Sequence, residues 1–148
     1  QGQYDVAASP LQMAMVAAGI ANDGVLMEPY LTKSVRAANL QTVWTHKDTP
    51  MSTPMTRESA KQLKQMMVSV VNNGTGRNAR IDGVTVGGKT GTAQTSPDKP
   101  PYAWFVGWSD KPKVAVAVFV ESSNTERSEI AGGRLGAPIA RDVIEALR

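Results

Sequence analysis

Runs and periods of hydrophobic residues divide this chain into three predicted helices and a set of predicted strands. The first helix follows Ser9-Pro10, a capping hydroxyl and a proline suited to the first helical turn. Positions from Leu11 to Ile20 are almost all apolar, so this helix is expected to be buried on every side, with methionines that pack rather than bind a ligand. Asn22-Asp23-Gly24 is its expected end.

The second and third predicted helices each carry an apolar stripe. Thr56 is expected to cap a helix that runs through Val71. Its stripe consists of Ala60, Leu63, Met66, Met67, Val70 and Val71. A last helix is predicted near Leu135 to Leu147, with Pro138 in its first turn. Its apolar side consists of Ile139, Val143, Ala146 and Leu147.

The segment between the first two helices predicts extended structure. Val25 to Ala37 and Gln41 to Thr45 are expected to be extended, with a turn at Ala38-Asn39. His46, the single histidine, follows the second of these segments without a catalytic partner in the local sequence. It is expected to be a solvated loop residue.

Three further strands are predicted in the second half of the chain, at Val86–Thr95, Tyr102–Trp108 and Val114–Glu121. The connections between them are short enough for an antiparallel meander. The last strand is apolar at successive positions, so both of its faces need cover. It is therefore expected to be an interior strand.

Composition places the chain among ordinary globular domains and excludes several classes of function. Of its 148 residues 41% are hydrophobic and 20% charged, and the net charge is +3. Lysine and arginine are dispersed, which argues against a nucleic-acid partner. The absence of cysteine excludes disulfides and thiolate chemistry. No apolar run has the length of a membrane span, but the chain begins at Gln1 rather than Met and is expected to be part of a longer parent protein.

Lys89-Thr90-Gly91 fits two unrelated chemistries. Together with the preceding residues from Gly83 it matches the phosphate-loop pattern G-x-x-x-x-G-K-[ST]. A phosphate loop needs a helix to follow its lysine, and the glycine, threonines and prolines after Thr90 cannot sustain one. As part of a strand, the same residues offer a cation and hydroxyl donors to an extended anionic ligand, and the glycines are expected where another backbone approaches. The local alternative is a glycine-rich surface strand whose lysine is only solvated.

Four separated passages resemble the C-terminal part of a class B penicillin-binding protein transpeptidase domain, in an actinobacterial style. They are Gly2-Gln3 followed by Ser9-Pro10-Leu11-Gln12-Met13-Ala14, Gly74-Thr75-Gly76, Gly88-Lys89-Thr90-Gly91-Thr92-Ala93-Gln94, and Ala103-Trp104-Phe105-Val106-Gly107. The resemblance implies an α+β fold related to serine β-lactamases, in which helices flank a mostly antiparallel sheet. It also implies peptidoglycan crosslinking through an acyl-enzyme formed by a serine, a reaction that β-lactams intercept.

The resemblance implies a role for each residue of the KTG strand. Lys89 would supply positive charge to the catalytic cluster and to the ligand carboxylate. The hydroxyls of Thr90 and Thr92 would bind that carboxylate, and Gly91 would let the ligand backbone lie close. The backbone amide of Thr92 would donate to the oxyanion. No metal or cofactor is implied.

The nucleophile motif S-x-x-K and the second motif S-x-N of this family normally precede KTG. Ser96-Pro97-Asp98-Lys99 and Ser122-Ser123-Asn124 match the patterns but follow KTG in chain order, and the first contains Pro97 and precedes Pro100-Pro101, which indicates a loop. Both are interpreted as coincidental matches. Residues 1–148 are therefore expected to be the C-terminal portion of a transpeptidase domain whose nucleophile-bearing part is absent.

The resemblance also sets expectations for partners and location. The expected partners are the remaining N-terminal part of the same protein, peptidoglycan stem peptides, β-lactams and cell-wall synthesis proteins. The expected location is the extracytoplasmic face of the bacterial membrane, reached through an N-terminal anchor outside this chain. Two alternatives share the KTG strand: a β-lactam-sensing receptor domain, and a D,D-carboxypeptidase or β-lactamase relative.

Overall fold

The computed structural model describes residues 6–94, 96 and 99–148. Within them, three helices are separated by one run of four strands and one run of three strands. The helices are α1 (Pro10–Ala21), α2 (Arg57–Asn73) and α3 (Ala137–Ala146). The strands are β1 (Leu26–Met27), β2 (Ser34–Arg36), β3 (Thr42–Thr45), β4 (Pro50–Ser52), β5 (Val86–Ala93), β6 (Tyr102–Asp110) and β7 (Lys113–Val120).

The three long strands form one antiparallel sheet in the order β5-β6-β7, which confirms the predicted meander. Their register pairs Lys89 with Val106 and Phe105 with Val118. The predicted and observed strand ends differ by one or two residues, and the predicted end of the first strand, Thr95, lies outside the described residues. Valine and threonine at alternate positions suit such a sheet because branched side chains pack well on a pleated surface.

Helices cover both faces of this sheet. On one face Phe105 and Val118 join a core cluster with Ala140 and Ile144 of α3. On the other face Trp108 packs with Ile20 of α1 and Met67 of α2. The result is the α+β layering that the sequence predicts.

The position of β7 differs in part from the prediction. Its two faces pack against α1 and α3, as expected from its apolar residues on both sides. Within the described residues, however, β7 pairs only with β6 and is an edge strand rather than an interior one. An edge strand leaves one row of backbone N–H and C=O groups unpaired.

Helix α1 begins as predicted, but its burial is lower than predicted. Ser9 and Gln12 form a reciprocal capping box. Ala17 and Ile20 are buried against the sheet and α2, whereas Leu11 is 59% and Val16 47% exposed. The expectation that the helix is buried on every side is wrong for the described residues, because sheet and helix cover it from one side only.

Helix α2 begins as predicted and ends at Asn73, two residues beyond the predicted Val71. The Thr56 hydroxyl accepts a hydrogen bond from the Ser59 amide at the start of the helix. At the end, the amides of Gly74 and Gly76 both donate to the Val70 carbonyl oxygen at 3.0 Å. This double contact fixes the turn that leads out of α2 towards the main sheet.

The segment from 25 to 52 is more broken than predicted. Two short antiparallel pairs form, β1 with β4 and β2 with β3, and β4 is absent from the prediction. The predicted turn at Ala38-Asn39 is confirmed, with the Ala37 amide donating to the Gln41 carbonyl oxygen. His46 is a loop residue as predicted but not fully solvated, because its half-buried ring stacks on Tyr30 with centroids 3.7 Å apart.

Helix α3 is preceded by one wide turn at Gly132–Gly136. The helix therefore starts at Ala137, two residues after the predicted start, with Pro138 in its first turn. Its buried side consists of Ala137, Ala140 and Ile144, while the predicted apolar side is exposed at Ile139, Val143 and Leu147. The small alanines allow the helix axis to approach the sheet closely.

One aspartate joins the end of α1 to α2. Lys64 donates to the Asp23 carboxylate at 2.5 Å, and Arg57 lies 3.1 Å from the other carboxylate oxygen. The hydrogen bond from Lys64, with its positive charge, lowers the pKa of Asp23, and Arg57 adds to the effect. A depressed pKa means that the folded state favours the ionised form, so this stabilisation is present above the unfolded pKa of about 3.9 and is lost as the pH falls through the folded value.

We expect the substitution Asp23→Asn to lower the melting temperature of the parent protein by about 1–3 °C at pH 7, because the pairs are exposed to solvent. The difference between variant and wild type should shrink as the pH falls from about 5 to 2. Thermal melts across this range test the prediction. Asp48→Asn, which removes an exposed aspartate without a salt bridge in the described part of the chain, is the matched control. A constant difference at all pH values would contradict the assignment.

Candidate functional site

Strand β5 carries all four residues that the sequence assigns to ligand binding. Successive side chains of a strand point to opposite faces, so Lys89 and Gly91 share one face and Thr90 and Thr92 the other. In the described residues β5 pairs with β6 along one edge only. Its other edge is therefore available to an extended ligand, which could add to the strand through backbone hydrogen bonds.

The nucleotide interpretation fails on the same strand. Lys89 and Thr90 lie in the middle of β5, which continues to Ala93, and no helix begins there. The helix N-terminus that would hold a phosphate is therefore missing at this position.

Two glycines before Lys89 allow aromatic rings of β6 to lie against the strand. A Cβ atom at Gly87 would lie 2.4 Å from the Trp108 ring, and one at Gly88 would lie 2.3 Å from the Phe105 ring. The sequence predicts close approach of another backbone at the glycines of this strand, which is wrong for these two. Aromatic rings approach instead, and they fix the position of β5 relative to β6.

The ammonium group of Lys89 is exposed at the edge of the site. Its Nζ donates to the carbonyl oxygen of the neighbouring Thr90 at 2.6 Å. Among the described residues it forms no salt bridge. The positive charge is thus not neutralised by a carboxylate in the described part of the chain.

The two threonines differ in their surroundings. Thr90 is half-buried, and its Oγ1 lies 2.7 Å from Oγ1 of Thr75. Thr92 is exposed two residues further along the same face. Between them, the nearest atom to a Cβ built on Gly91 is the Trp104 Cβ at 3.2 Å. A Cβ at Gly91 would therefore be crowded by Trp104, and Gly91 itself is half-buried.

A groove of about 750 Å³ opens beside this strand between α1 and α2. Lys89, Thr90, Gly91 and Thr92 line it together with apolar side chains of both helices. The apolar wall includes Met13, Val16, Leu63, Met66, Val70 and Val106. Met13 of α1, which the sequence assigns to packing, thus also lines the groove, as do Met66 and Met67 of the apolar stripe of α2.

The turn before α3 seals the strand from its other face. A Cβ at Gly132 would lie 2.7 Å from the Gly91 carbonyl oxygen, and one at Gly133 would lie 2.1 Å from the Thr75 carbonyl oxygen. The Asn78 amide also donates to the Gly133 carbonyl oxygen at 2.8 Å. The sequence alone assigned no role to Thr75 or to Gly132-Gly133. The two adjacent glycines were the only local indication that a backbone packs closely there.

The two coincidental motif matches lie away from helical positions. Ser96 and Lys99 are exposed and lie outside any helix, while Pro97 and Asp98 lie outside the described residues. Ser122-Ser123-Asn124 follows β7 in a loop. The first of the four resembling passages begins at Gly2-Gln3, which also lies outside the described residues.

Comparison with known proteins shows the family to which the chain is similar. Residues 1–145 match the family model for the penicillin binding protein transpeptidase domain. The chain is 41% identical to the peptidoglycan D,D-transpeptidase PbpA of Mycolicibacterium smegmatis, over 98% of this chain and 30% of that protein. It thus spans about a third of the length of such relatives.

Solved structures share the fold. The ceftriaxone acyl-enzyme complex of penicillin-binding protein A from M. tuberculosis has a TM-score of 0.88 and 39% identity, over 98% of this chain and 33% of that one. The D,D-transpeptidase domain of a peptidoglycan glycosyltransferase from Eggerthella lenta has a TM-score of 0.79 and 34% identity, over 95% and 33% of the two chains. Because sequence and fold agree over nearly its whole length, the chain belongs to the penicillin-binding protein transpeptidase domain family.

Proposed function

We propose that this chain supplies the KTG wall of a serine-type peptidoglycan D,D-transpeptidase. The observation that carries the proposal is the placement of Lys89, Thr90 and Thr92 on one strand edge beside a groove, with no carboxylate paired to Lys89 in the described residues. An unneutralised cation with adjacent hydroxyl donors suits a ligand that ends in a carboxylate, as a D-alanyl-D-alanine peptide or a β-lactam does.

Each of these residues has a defined task in acyl transfer. Lys89 provides positive charge to the ligand carboxylate, and the hydroxyls of Thr90 and Thr92 donate hydrogen bonds to it, each bond contributing roughly 1.5–3 kcal/mol. The Thr92 amide donates to the oxyanion that forms when the substrate carbonyl is attacked. Gly91, between the two threonines, leaves room for the ligand backbone.

The nucleophile belongs to the remaining part of the parent protein in this proposal. Its serine oxygen bonds to the carbonyl carbon of the penultimate D-alanine, and the terminal D-alanine leaves with a proton. An amine of a second stem peptide then displaces the serine. Two surfaces support the presence of further chain: the open edge of β7 and the apolar groove between α1 and α2.

The two alternatives share the strand but predict a different fate for the acyl group. A carboxypeptidase or β-lactamase relative would transfer the acyl group to water, and a receptor domain would keep it. The 41% identity to a protein named as a D,D-transpeptidase favours the transpeptidase over both alternatives. An amine acceptor in a crosslinking assay distinguishes the three.

The location and further partners follow from the same proposal. None of the helices in the described residues is long and apolar enough to cross a membrane. We place the parent protein at the extracytoplasmic face of the cell membrane, with stem peptides, β-lactams and other cell-wall synthesis proteins as partners. Localisation of a tagged parent protein after cell fractionation tests this placement.

We expect Lys89→Ala in the parent protein to slow β-lactam acylation at least about 100-fold, equivalent to the roughly 2.7 kcal/mol lost with one transition-state donor. The melting temperature should hardly change because the side chain is exposed. Stopped-flow acylation and a thermal melt measure the two effects. Lys61→Ala, which removes an exposed lysine of α2, serves as control. A normal acylation rate for Lys89→Ala would remove this lysine from the site.

The isolated chain should not be labelled by a fluorescent penicillin, because neither serine-containing pattern lies in a catalytic setting. Intact-mass spectrometry after incubation with penicillin measures the absence of an adduct, and the parent protein treated identically is the positive control. A covalent adduct on Ser96 would contradict the interpretation of that motif as coincidental.

The isolated chain should also fail to form a soluble monomer, because β7 leaves a backbone edge unpaired and apolar surface uncovered. Adding the N-terminal part as a second polypeptide should give a compact complex that binds penicillin. Size-exclusion chromatography with light scattering measures both states. A monodisperse monomer that melts cooperatively would show that β7 needs no further strand.

A further inference from the structure

Thr75 lies beside the site without a role in the reaction described above. It is the middle residue of Gly74-Thr75-Gly76, the turn that follows α2. Its Oγ1 lies 2.7 Å from Oγ1 of Thr90, a residue fifteen positions later. This distance is that of an ordinary hydrogen bond between two hydroxyl groups.

The turn that carries Thr75 is held from two sides. Before it, the Val70 carbonyl oxygen accepts from the amides of Gly74 and Gly76 at 3.0 Å. After it, Gly133 approaches so closely that a Cβ there would lie 2.1 Å from the Thr75 carbonyl oxygen and 3.5 Å from Cγ2 of Thr90. The backbone of Thr75 is therefore fixed relative to Thr90.

A pair of hydroxyls shares one hydrogen between its oxygens, which leaves two arrangements. If Thr90 donates to Thr75, its proton is occupied and its oxygen offers only lone pairs to a ligand. If Thr75 donates to Thr90, the Thr90 proton is available for a ligand acceptor. An anionic ligand selects the second arrangement, and a hydroxyl that accepts one bond becomes a stronger donor in the next.

We propose that Thr75 is a positioning residue that directs the Thr90 hydroxyl as a donor to the carboxylate of the ligand. The inference rests on the proposed function, because it takes that carboxylate as the group bound at Thr90. Thr75 acts through Thr90 rather than through its own contact with the ligand. Its contribution is therefore specific to ligands that carry a negative charge at this position.

The test uses the parent protein and two forms of one β-lactam, benzylpenicillin and its neutral methyl ester. Thr75→Val keeps the shape of the side chain and removes the hydroxyl, and Thr75→Ser keeps the hydroxyl. We expect Thr75→Val to lower the second-order acylation constant for benzylpenicillin about tenfold, the effect of roughly one net hydrogen bond. The constant for the ester should change less than about twofold, and Thr75→Ser should restore most of the rate with benzylpenicillin.

A double-mutant cycle with Thr90→Val gives a second readout. Thr75→Val should add no further loss in the Thr90→Val background, because the hydroxyl that it directs is gone. Thr53→Val, at an exposed threonine away from the strand, controls for the loss of a surface hydroxyl, and melting temperatures control for folding. Equal losses with both forms of the drug, or additive losses in the cycle, would overturn the inference and leave the proposed function standing. A wild-type parent protein that benzylpenicillin does not acylate would overturn both.

Discussion

The buried ring of Phe105 is the contact on which the arrangement of the site depends. Its side chain is fully buried, and glycines from three separate segments surround it because no side chain would fit there. A Cβ would lie 2.3 Å from the ring at Gly88, 2.9 Å from it at Gly107, and 2.9 Å from the Phe105 Cβ at Gly136. One aromatic residue thus sets the spacing between the KTG strand, its neighbour and the turn before α3. Because packed interiors tolerate little change in volume, these distances are tightly constrained.

This constraint explains why polar site residues can lie on an edge strand without losing their geometry. Exposed strand edges are normally free to shift, and Lys89 and Thr92 contribute little to packing because they are exposed. The Trp108 ring packs against Gly87 on one face of the sheet, and the Phe105 ring at Gly88 and the turn at Gly132–Gly136 hold the strand on the other face. Buried residues thus support the strand, while different, exposed residues form its polar edge. A preorganised site needs this arrangement.

Much of this fold could be predicted from the sequence because its elements have strong local signals. Ser9-Pro10 and Thr56 mark helix starts through capping chemistry, and alternating valines mark β7. The partial exposure of α1 could not be predicted in the same way. An apolar helix sequence does not show which of its sides other elements of the chain cover. The contact between Thr75 and Thr90 could not be predicted either, because tertiary packing rather than any sequence period brings the turn and the strand together. The same holds for His46, whose stacking on Tyr30 joins residues on either side of a hairpin.

The support that Gly132 and Gly133 give to β5 has a consequence for the order in which the molecule is made. Ribosomes synthesise the KTG strand well before the turn that packs on Gly91 and Thr75, so the strand emerges without one of its supports. The full set of contacts that support the strand can form only after β6 and the turn at Gly132–Gly136 have been synthesised. A nascent chain that stops before this turn would therefore carry every predicted ligand-binding residue of the strand but lack the Gly132 and Gly133 contacts that support it.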